Sequence, residues 1–472
     1  MSPDLCALFE QRLFREPDAV AIVSDEGVTS CSQLSRAADG LLAELREAGA
    51  VAGTRIGLEL SRQAGLVVAM LACLRGQFTY VPLDPAFTSE RTAYIREHAG
   101  VALIIRSQDS GFWVERVSSN FQPSPGPTYP LYVIYTSGST GHPKGVPVTG
   151  TQVAALLEAA LPLFDFGSSD TWALMHSYNF DFSVWEIWGA LISGGVLAIP
   201  SAATLRSPTE TVEWLRAQQV TVLNQVPTVL GYLLGYLERT GRRLDAVRHL
   251  IFGGEELTDT VVRRWRALHA GTAITNMYGI TEVTVHASYQ RFADDQLPGA
   301  PSLIGRLLPH FEYQLANVNN HLGAARGELL LAGPQVSTGY LNDPQHSAER
   351  FIFRDGRCWY RTGDVVEDHD GQLRYVGRVD RQVQIRGFRV ELAEVEFALR
   401  NIAGVTSAKV SVERTNKDEP VLLAVVESAV HSATDIRLEM ARSVPAYLVP
   451  ARIEIVPEMP VSPTGKASVG AR

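Results

Sequence analysis

Cysteine is sparse in this chain. Cys6, Cys31, Cys73 and Cys358 are the four among 472 residues, and no two stand at C-x-x-C spacing. That argues against a cysteine-built zinc site or a disulfide framework and leaves reduced thiols in a cytoplasmic protein as the expectation. Long apolar runs are missing too: GLVVAMLACL at 65–74 is the longest. It falls short of the ~18 residues a membrane span needs, so it reads as a buried helix. The N-terminal MSPDLCALFEQRLF has no basic segment ahead of an apolar one, so secretion is not expected. Positive charge is in deficit. A net charge of −9 disfavours sequence-independent nucleic-acid binding, which depends on cationic side chains. A small substrate or a protein partner remains.

What is present describes a layered globular protein. At 472 residues, with 46% apolar and 20% charged side chains, the chain exceeds what one core fills, so two or more domains are expected. Helix-period and strand-like runs alternate: SQLSRAADGLLAELREAG then RIGLEL, and RTAYIREHAG then VALIIR. The alternation continues through VTVLNQ, HLIFGGEE and AITNMYG, which predicts an α/β architecture. The Pro/Ser/Gly-rich SSNFQPSPGPTYP reads as a connection. After about Leu330 short strands and turns take over, with DHDGQLRYVG a hairpin around Asp370 and Gly371. From Arg381 a smaller α+β unit is expected: VELAEVEFALRNIAGV a helix, AKVSVER and VLLAVVES strands, TDIRLEMARSV a second helix. The expected division is a large domain over 1–379 and a small one over 380–472.

Four short segments carry chemistry. TSGSTGHPKG, Thr136 to Gly145, follows the apolar LYVIY and holds three glycines, four hydroxyl residues, a proline and one lysine. Glycines let backbone N–H groups approach phosphate oxygens, and hydroxyls add donors. Lys144 follows Pro143 rather than a glycine, and no Ser or Thr comes after it, so the nucleoside-triphosphatase P-loop is rejected. A surface turn is the plainer alternative. NMYGITE (276–282) offers Tyr278 for stacking on a base and Glu282 as a hard oxygen ligand for Mg²⁺. YRTGD (360–364) ends in Asp364, a carboxylate able to hold two ribose hydroxyls, and PTGK (463–466) sets Lys466 on a turn. Singly, these also fit a core tyrosine, a solvated acid and an exposed lysine.

Together and in this order they resemble the adenylate-forming superfamily, specifically the adenylation domains of nonribosomal peptide synthetases. LRGQFTYVPLDP, LYVIYTSGSTGHPKG, FDFSVWE, NMYGITE, GELLLAGPQVSTGYL, YRTGD, GRVDRQVQIRGFRVELAEVE, VPAYLVP and PTGK match family motifs along nearly the whole chain. The resemblance implies a large N-terminal core of layered α/β subdomains, a small mobile C-terminal domain, and two reaction steps. A carboxylate attacks the α-phosphorus of ATP, giving an acyl-adenylate and pyrophosphate; a phosphopantetheine thiol of a carrier protein, met in trans, then displaces AMP. Thr136, Ser137, Gly138, Ser139, Thr140, Gly141 and Lys144 would embrace the β- and γ-phosphates. Lys466 would bridge the substrate carboxylate and the ribose or α-phosphate, Thr281 would touch the α-phosphate, and Mg²⁺ near Glu282 would offset phosphate charge. Tyr278, Asp364 and Arg378 would hold adenosine. Between steps the small domain would rotate about Asp380, and Phe180 would gate the pantetheine tunnel.

The same resemblance implies the acid. Asp181, within FDFSVWE, stands where amino-acid-activating members pair the substrate ammonium, and members activating aryl acids lack it. The pocket positions carry over as Asp181, Phe182, Trp185, Asn224, Ile251, Gly253, Met277, Val285, His286 and Lys466, a string that resembles the threonine signature. Trp185 and Met277 would shorten the pocket, while Asn224 and His286 would hydrogen-bond a hydroxyl. L-Threonine is the expected substrate, with serine leaking and valine rejected.

Three departures stand out: Ile280 in place of the proline of NxYGPTE, Gln384 where QVK supplies a lysine, and GKASVGAR in place of GKVDR. The chain is expected to be free-standing or a domain cut from a larger synthetase in natural-product, for instance antibiotic, biosynthesis. The resemblance leaves open an MbtH-like partner; nucleic acid and membrane are not expected. An acyl-CoA ligase, against which Asp181 speaks, and a non-catalytic binding protein on the same scaffold, against which Lys466, Asp364 and Glu282 speak, are the alternatives.

Overall fold

The computed structural model of the chain describes residues 4–85, 88–108, 111–118, 128–137, 143–321, 324–379, 382–415 and 419–457. They form two compact units. The first holds the described residues of Met1–Asp84, Arg96–Ile134 and Gly145–Val379; the second holds those of Pro85–Ile95, Tyr135–Lys144 and Asp380–Arg472.

In the first unit, short apolar segments bounded by helices become a parallel sheet core. Ala273–Asn276, His249–Phe252, Val222–Gln225, Thr171–Ala173, Val196–Ala198 and Val20–Ser24 lie side by side, all parallel. The strands VLNQ and HLIF are covered on both faces and buried at every position, the polar Asn224, Gln225 and His249 included. The return crossings are the helices Pro227–Thr240 and Asp259–Leu268. Pro227 opens the first of these and Gly241, at φ 67°, closes it, the asymmetry expected of a missing N–H at one end and a left-handed cap at the other. Beyond Ala273–Asn276 the same sheet turns antiparallel through Ser288–Phe292, Ser302–Leu307, Gln372–Arg378, Arg357–His369, Ala324–Ala332 and Glu312–His321. The expected hairpin at DHDG is present. Asp370 and Gly371 take φ 54° and 81°, the two positive values a tight two-residue turn requires.

A second, six-stranded sheet runs in the order Gly111–Arg116, Leu103–Gln108, Arg55–Glu59, Thr79–Pro82, Pro130–Thr136, Lys144–Thr149. The apolar run at 65–74 forms the helix Ala64–Gly76, buried along most of its length as expected. One buried cation fixes the helix that matters most for the site. Arg12 donates to the carbonyls of Leu191 (2.7 Å), Gly194 (3.0 Å) and Gly195 (2.9 Å). These lie at the C-terminal end of the helix Phe182–Ser193, where carbonyls lack intrahelical donors and the dipole is negative. Asp181 stands at its other end.

The second unit contains a hairpin, Gln382–Ile385 with Phe388–Glu391, the helices Leu392–Arg400 and Ala433–Ser443, and the strands Val405–Arg414, Pro420–Ser428 and Arg452–Val456. Its core gathers Val395, Leu399, Val426, Ile436 and Met440. The first helix starts two residues later than the amphipathic pattern suggested, because Val390 and Glu391 belong to the hairpin strand. Among the described residues no helix is long and apolar enough to cross a membrane.

Candidate active site

The residues expected from FDFSVWE and its partner positions to line the amino-acid pocket, Lys466 apart, come together in the first unit, at the carboxyl ends of parallel strands. Register sets Asn224 beside Ile251 and Ile251 beside Thr275. Gly253 and Met277 follow directly where two of these strands stop, and the Met277 N–H donates to Phe252 O (2.8 Å). Open α/β sheets gather ligands at such strand ends, where loops diverge. The helix Phe182–Ser193 closes the other side. Phe182 meets His286 edge to face at 4.9 Å, and Trp185 meets it at 5.6 Å. Gly253 is small for a reason: a Cβ there would come within 3.0 Å of Met277 O, 3.2 Å of Phe182 and 3.3 Å of His286. Asp181, Ile251 and Val285 are buried next to these neighbours.

Several polar atoms of this pocket lack partners. Trp185 Nε1 donates to Asn224 Oδ1 (3.0 Å), which fixes the amide orientation and aims Nδ2 elsewhere. Asn224 Nδ2, both ring nitrogens of His286 and Asp181 Oδ2 are buried without a hydrogen-bond partner among the described residues. Burial pushes the His286 pKa down to about 3, so the ring is a neutral donor and acceptor. Burial pushes the Asp181 carboxyl up to about 6, with the Thr281 hydrogen bond lowering it and the nearby Glu282 charge raising it. Asp181 occupies the N-cap position yet does not cap its helix. An N-cap aspartate ordinarily accepts from the N–H of the second or third helical residue; Asp181 makes no such cap, although the Phe182 N–H lowers its pKa.

The loop from Tyr278 to His286 is strained and pinned. Any Cβ on Gly279 would stand 2.0 Å from Val285 O. Thr284 and Val285 take φ 60° and 66°, rare for β-branched residues. Gln335, fully buried, holds them: Nε2 donates to Val283 O (3.0 Å), Thr284 O (3.1 Å) and His286 O (2.8 Å), and Thr284 Oγ1 donates to Gln335 O (2.7 Å). Ile280, the departure from proline, has φ −145°, far from the −65° a pyrrolidine ring imposes. Here the chain uses a backbone state that proline cannot take.

Two further clusters each take one residue from this loop, Tyr278 in one and Glu282 in the other. Tyr278 OH donates to Asp364 Oδ2 (2.6 Å), Arg378 Nη1 to Asp364 Oδ1 (2.5 Å), and Arg378 Nη2 to Thr362 O (3.2 Å). The three residues expected to hold adenosine are thus joined. Burial, then the Asp364 charge, raises the Tyr278 pKa, so it stays a phenol. Glu282 is buried and accepts from Tyr340 OH (2.8 Å), which lies 3.2 Å from Tyr360 OH. Among the described residues no three His, Cys, Asp or Glu could hold a metal together. Mg²⁺ binds through one or two carboxylates plus phosphate oxygens and water, so a single carboxylate such as Glu282 fits the chemistry of that ion.

In the second unit, Thr136 ends one strand, Ser137 is buried, and Lys144 is buried at the start of the next. Gln384 lies on its hairpin strand. Gly138, Ser139, Thr140, Gly141, Asp380 and Lys466 lie outside the described residues. Phe180 is half-buried, edge-on to His176 at 5.5 Å. Sequence reasoning missed Gln335 and the pair His176–Glu186. For the latter a signal existed: a glutamate inside the apolar SVWEIWGAL must find a partner when buried.

The family described as AMP-binding enzyme matches residues 9–341. The chain belongs to that family, within it to the adenylation domains of nonribosomal peptide synthetases, and it is an adenylating ligase. It is 35% identical over 97% of its length to syringomycin synthase SyrB1 of Pseudomonas syringae pv. syringae, of which it covers 80%. Two larger relatives are matched over a small part of their length. The chain is 35% identical over 98% of its length to malpinin synthetase of Mortierella alpina, spanning only 6% of that protein, and 36% identical over 97% of its length to a dimodular nonribosomal peptide synthase of Bacillus subtilis, spanning 21%. Among solved structures, the Vibrio cholerae adenylation domain AlmE with glycyl-adenosine-5′-phosphate shares the fold at TM-score 0.84 and 23% identity, with 98% of this chain and 96% of that one covered.

Proposed function

We propose that the chain activates L-threonine as threonyl-adenylate and passes it to the phosphopantetheine thiol of a carrier protein in trans. The observation that carries the choice is the set of buried unpartnered atoms, Asn224 Nδ2 and the neutral His286 ring. A substrate hydroxyl accepts from the amide and exchanges a hydrogen bond with the imidazole, and Asp181 pairs the α-ammonium. Valine fills the same volume but leaves those atoms unpaired, a defect sites of this kind turn into up to ~10⁴–10⁵ in discrimination; serine lacks one methyl, roughly 10- to 200-fold. Asp181 also disfavours an acyl-CoA ligase, whose substrate brings no ammonium to a buried carboxylate.

In the first step Lys466 and Thr281 would steady charge developing around the α-phosphorus, and the 136–144 segment would hold the outer phosphates. Such catalysis is positioning and charge neutralisation. Glu282 would hold Mg²⁺, which supplies neutralisation of phosphate charge. Asp380 would be the hinge and Phe180 the gate for the second step, in a cytoplasmic setting; soluble yield with and without an MbtH-like protein tests that partner.

Amino-acid-dependent ATP–pyrophosphate exchange across a panel of acids tests the reading. Threonine should be fastest, serine weaker and valine near background. Equal rates for threonine and valine would remove the hydroxyl from the account.

A further inference from the structure

We infer that His176 is a positioning residue for the amino-acid pocket, setting through its ring the places of Phe182 and Phe180. The inference rests on the amino-acid-activation reading and adds a specificity residue outside the ten pocket positions.

Phe182 and Glu186 are four residues apart on one helix, so they share a face. Glu186 is fully buried in an otherwise apolar stretch, where a carboxylate is costly unless paired. Both its oxygens go to one residue: Oε2 accepts from His176 N (3.1 Å), and Oε1 lies 2.9 Å from His176 Nδ1. With a carboxylate as acceptor, Nδ1 carries the proton. From the other side Arg62 donates through Nη1 to His176 O (2.6 Å) and through Nη2 to Leu174 O. Backbone and ring of His176 are therefore held together, more tightly than packing alone would require.

The ring so held lies flat on Phe182, with centroids 4.3 Å apart and planes 15° from parallel, and meets Phe180 edge-on. Phe182 in turn faces His286 and the space Gly253 leaves open. Close-packed interiors pass displacement from neighbour to neighbour. Removing the His176 ring lets Phe182 fall back, widening the pocket and moving the imidazole that reads the hydroxyl. Among the described residues no hydrogen bond or ring contact links His176, Phe182 or His286 directly to Tyr278, Asp364 or Arg378.

The test is His176→Ala in pyrophosphate exchange, alongside a thermal melt. KM for threonine should rise about tenfold and the threonine-to-valine ratio of kcat/KM should fall about tenfold, with KM for ATP within about twofold of wild type. The paired variant His176→Phe/Glu186→Leu keeps a ring on Phe182 and removes the carboxylate together with its partner; it should retain most of the discrimination. A folded His176→Ala with wild-type threonine KM and ratio overturns the inference, as does a parallel rise in both KM values, which marks general loosening. Should His176→Ala fail to fold, the paired variant decides: discrimination retained supports the role of the ring, and discrimination lost at wild-type stability overturns it. Absence of exchange with every amino acid in the wild type would instead sink the activation reading. If another amino acid is preferred, it takes threonine's place in the same ratios.

Discussion

The amino-acid pocket and the Tyr278–Asp364–Arg378 cluster are built in the same unit, and their polar atoms are in opposite states. In the cluster each side of the Asp364 carboxylate is met, by Tyr278 and by Arg378. In the pocket Asn224 Nδ2, the His286 nitrogens and Asp181 Oδ2 are buried with nothing bonded to them among the described residues. A buried polar group without a partner costs stability, so its persistence needs an explanation. The comparison supplies one. On the function proposed above, the paired cluster would meet the nucleotide already complete, and the pocket would be completed by its amino acid.

The comparison can be broken from either side, and the largest effect is expected at Asp181. Asp181→Ala should lower threonine kcat/KM in exchange by about 30- to 4000-fold, the range for removing one partner of a buried charge pair worth roughly 2–5 kcal/mol. Activity within tenfold of wild type would mean the ammonium binds elsewhere. Asp364→Ala attacks the complete cluster. Taking the carboxylate away from the half-buried Tyr278 phenol and Arg378 guanidinium should cost about 1–3 kcal/mol of stability and raise KM for ATP far more than KM for threonine; denaturant melts and the two KM values check this.

Gln335→Leu tests the clamp between the two regions. Three carbonyls lose their donor and the left-handed pair Thr284–Val285 loses its support, so KM for threonine should rise about tenfold, with a loss of about 2–3 kcal/mol in chemical denaturation. An unchanged KM would relegate Gln335 to structure alone.

The smallest effect concerns pH. The Asp181 carboxyl, at about 6 when buried against an ordinary 3.8, holds its proton longer in the folded protein than in the unfolded one. Its contribution to the ligand-free fold is therefore most favourable below pH 3.8 and is lost as pH rises toward about 6. Threonine binding runs the other way, since only the carboxylate pairs an ammonium: KM for threonine should rise as pH drops below about 6, while KM for ATP stays flat across that point. His286, at about 3, stays neutral throughout and adds no second step. A flat threonine profile from pH 5 to 8 would separate Asp181 from the ammonium.

How much of this was legible in the sequence depends on the range of the forces involved. DHDG declared its turn because both φ values are positive and the chemistry is local. VTVLNQ, HLIFGGEE and AITNMYG showed the alternation of an α/β architecture, whereas the pocket positions on and after them came through the family resemblance alone. Gln335 did not declare itself: its amide holds carbonyls some fifty residues earlier, and no periodicity encodes that distance. Ile280 could be seen as a departure, but its extended backbone, which shows why proline is absent, depends on the fold. Glu186 lies between these cases, since a charge inside SVWEIWGAL asked for a partner without saying that His176 would be it.

The central claim is that unpaired pocket atoms read the substrate hydroxyl, and Asn224→Ala tests it most directly. The measurement is the ratio of kcat/KM for threonine over valine in pyrophosphate exchange, wild type beside variant on matched preparations. The wild-type ratio should be large, about 10³ or more, and fall to within about tenfold of unity once the amide donor is gone. A ratio that survives the substitution unchanged would contradict it.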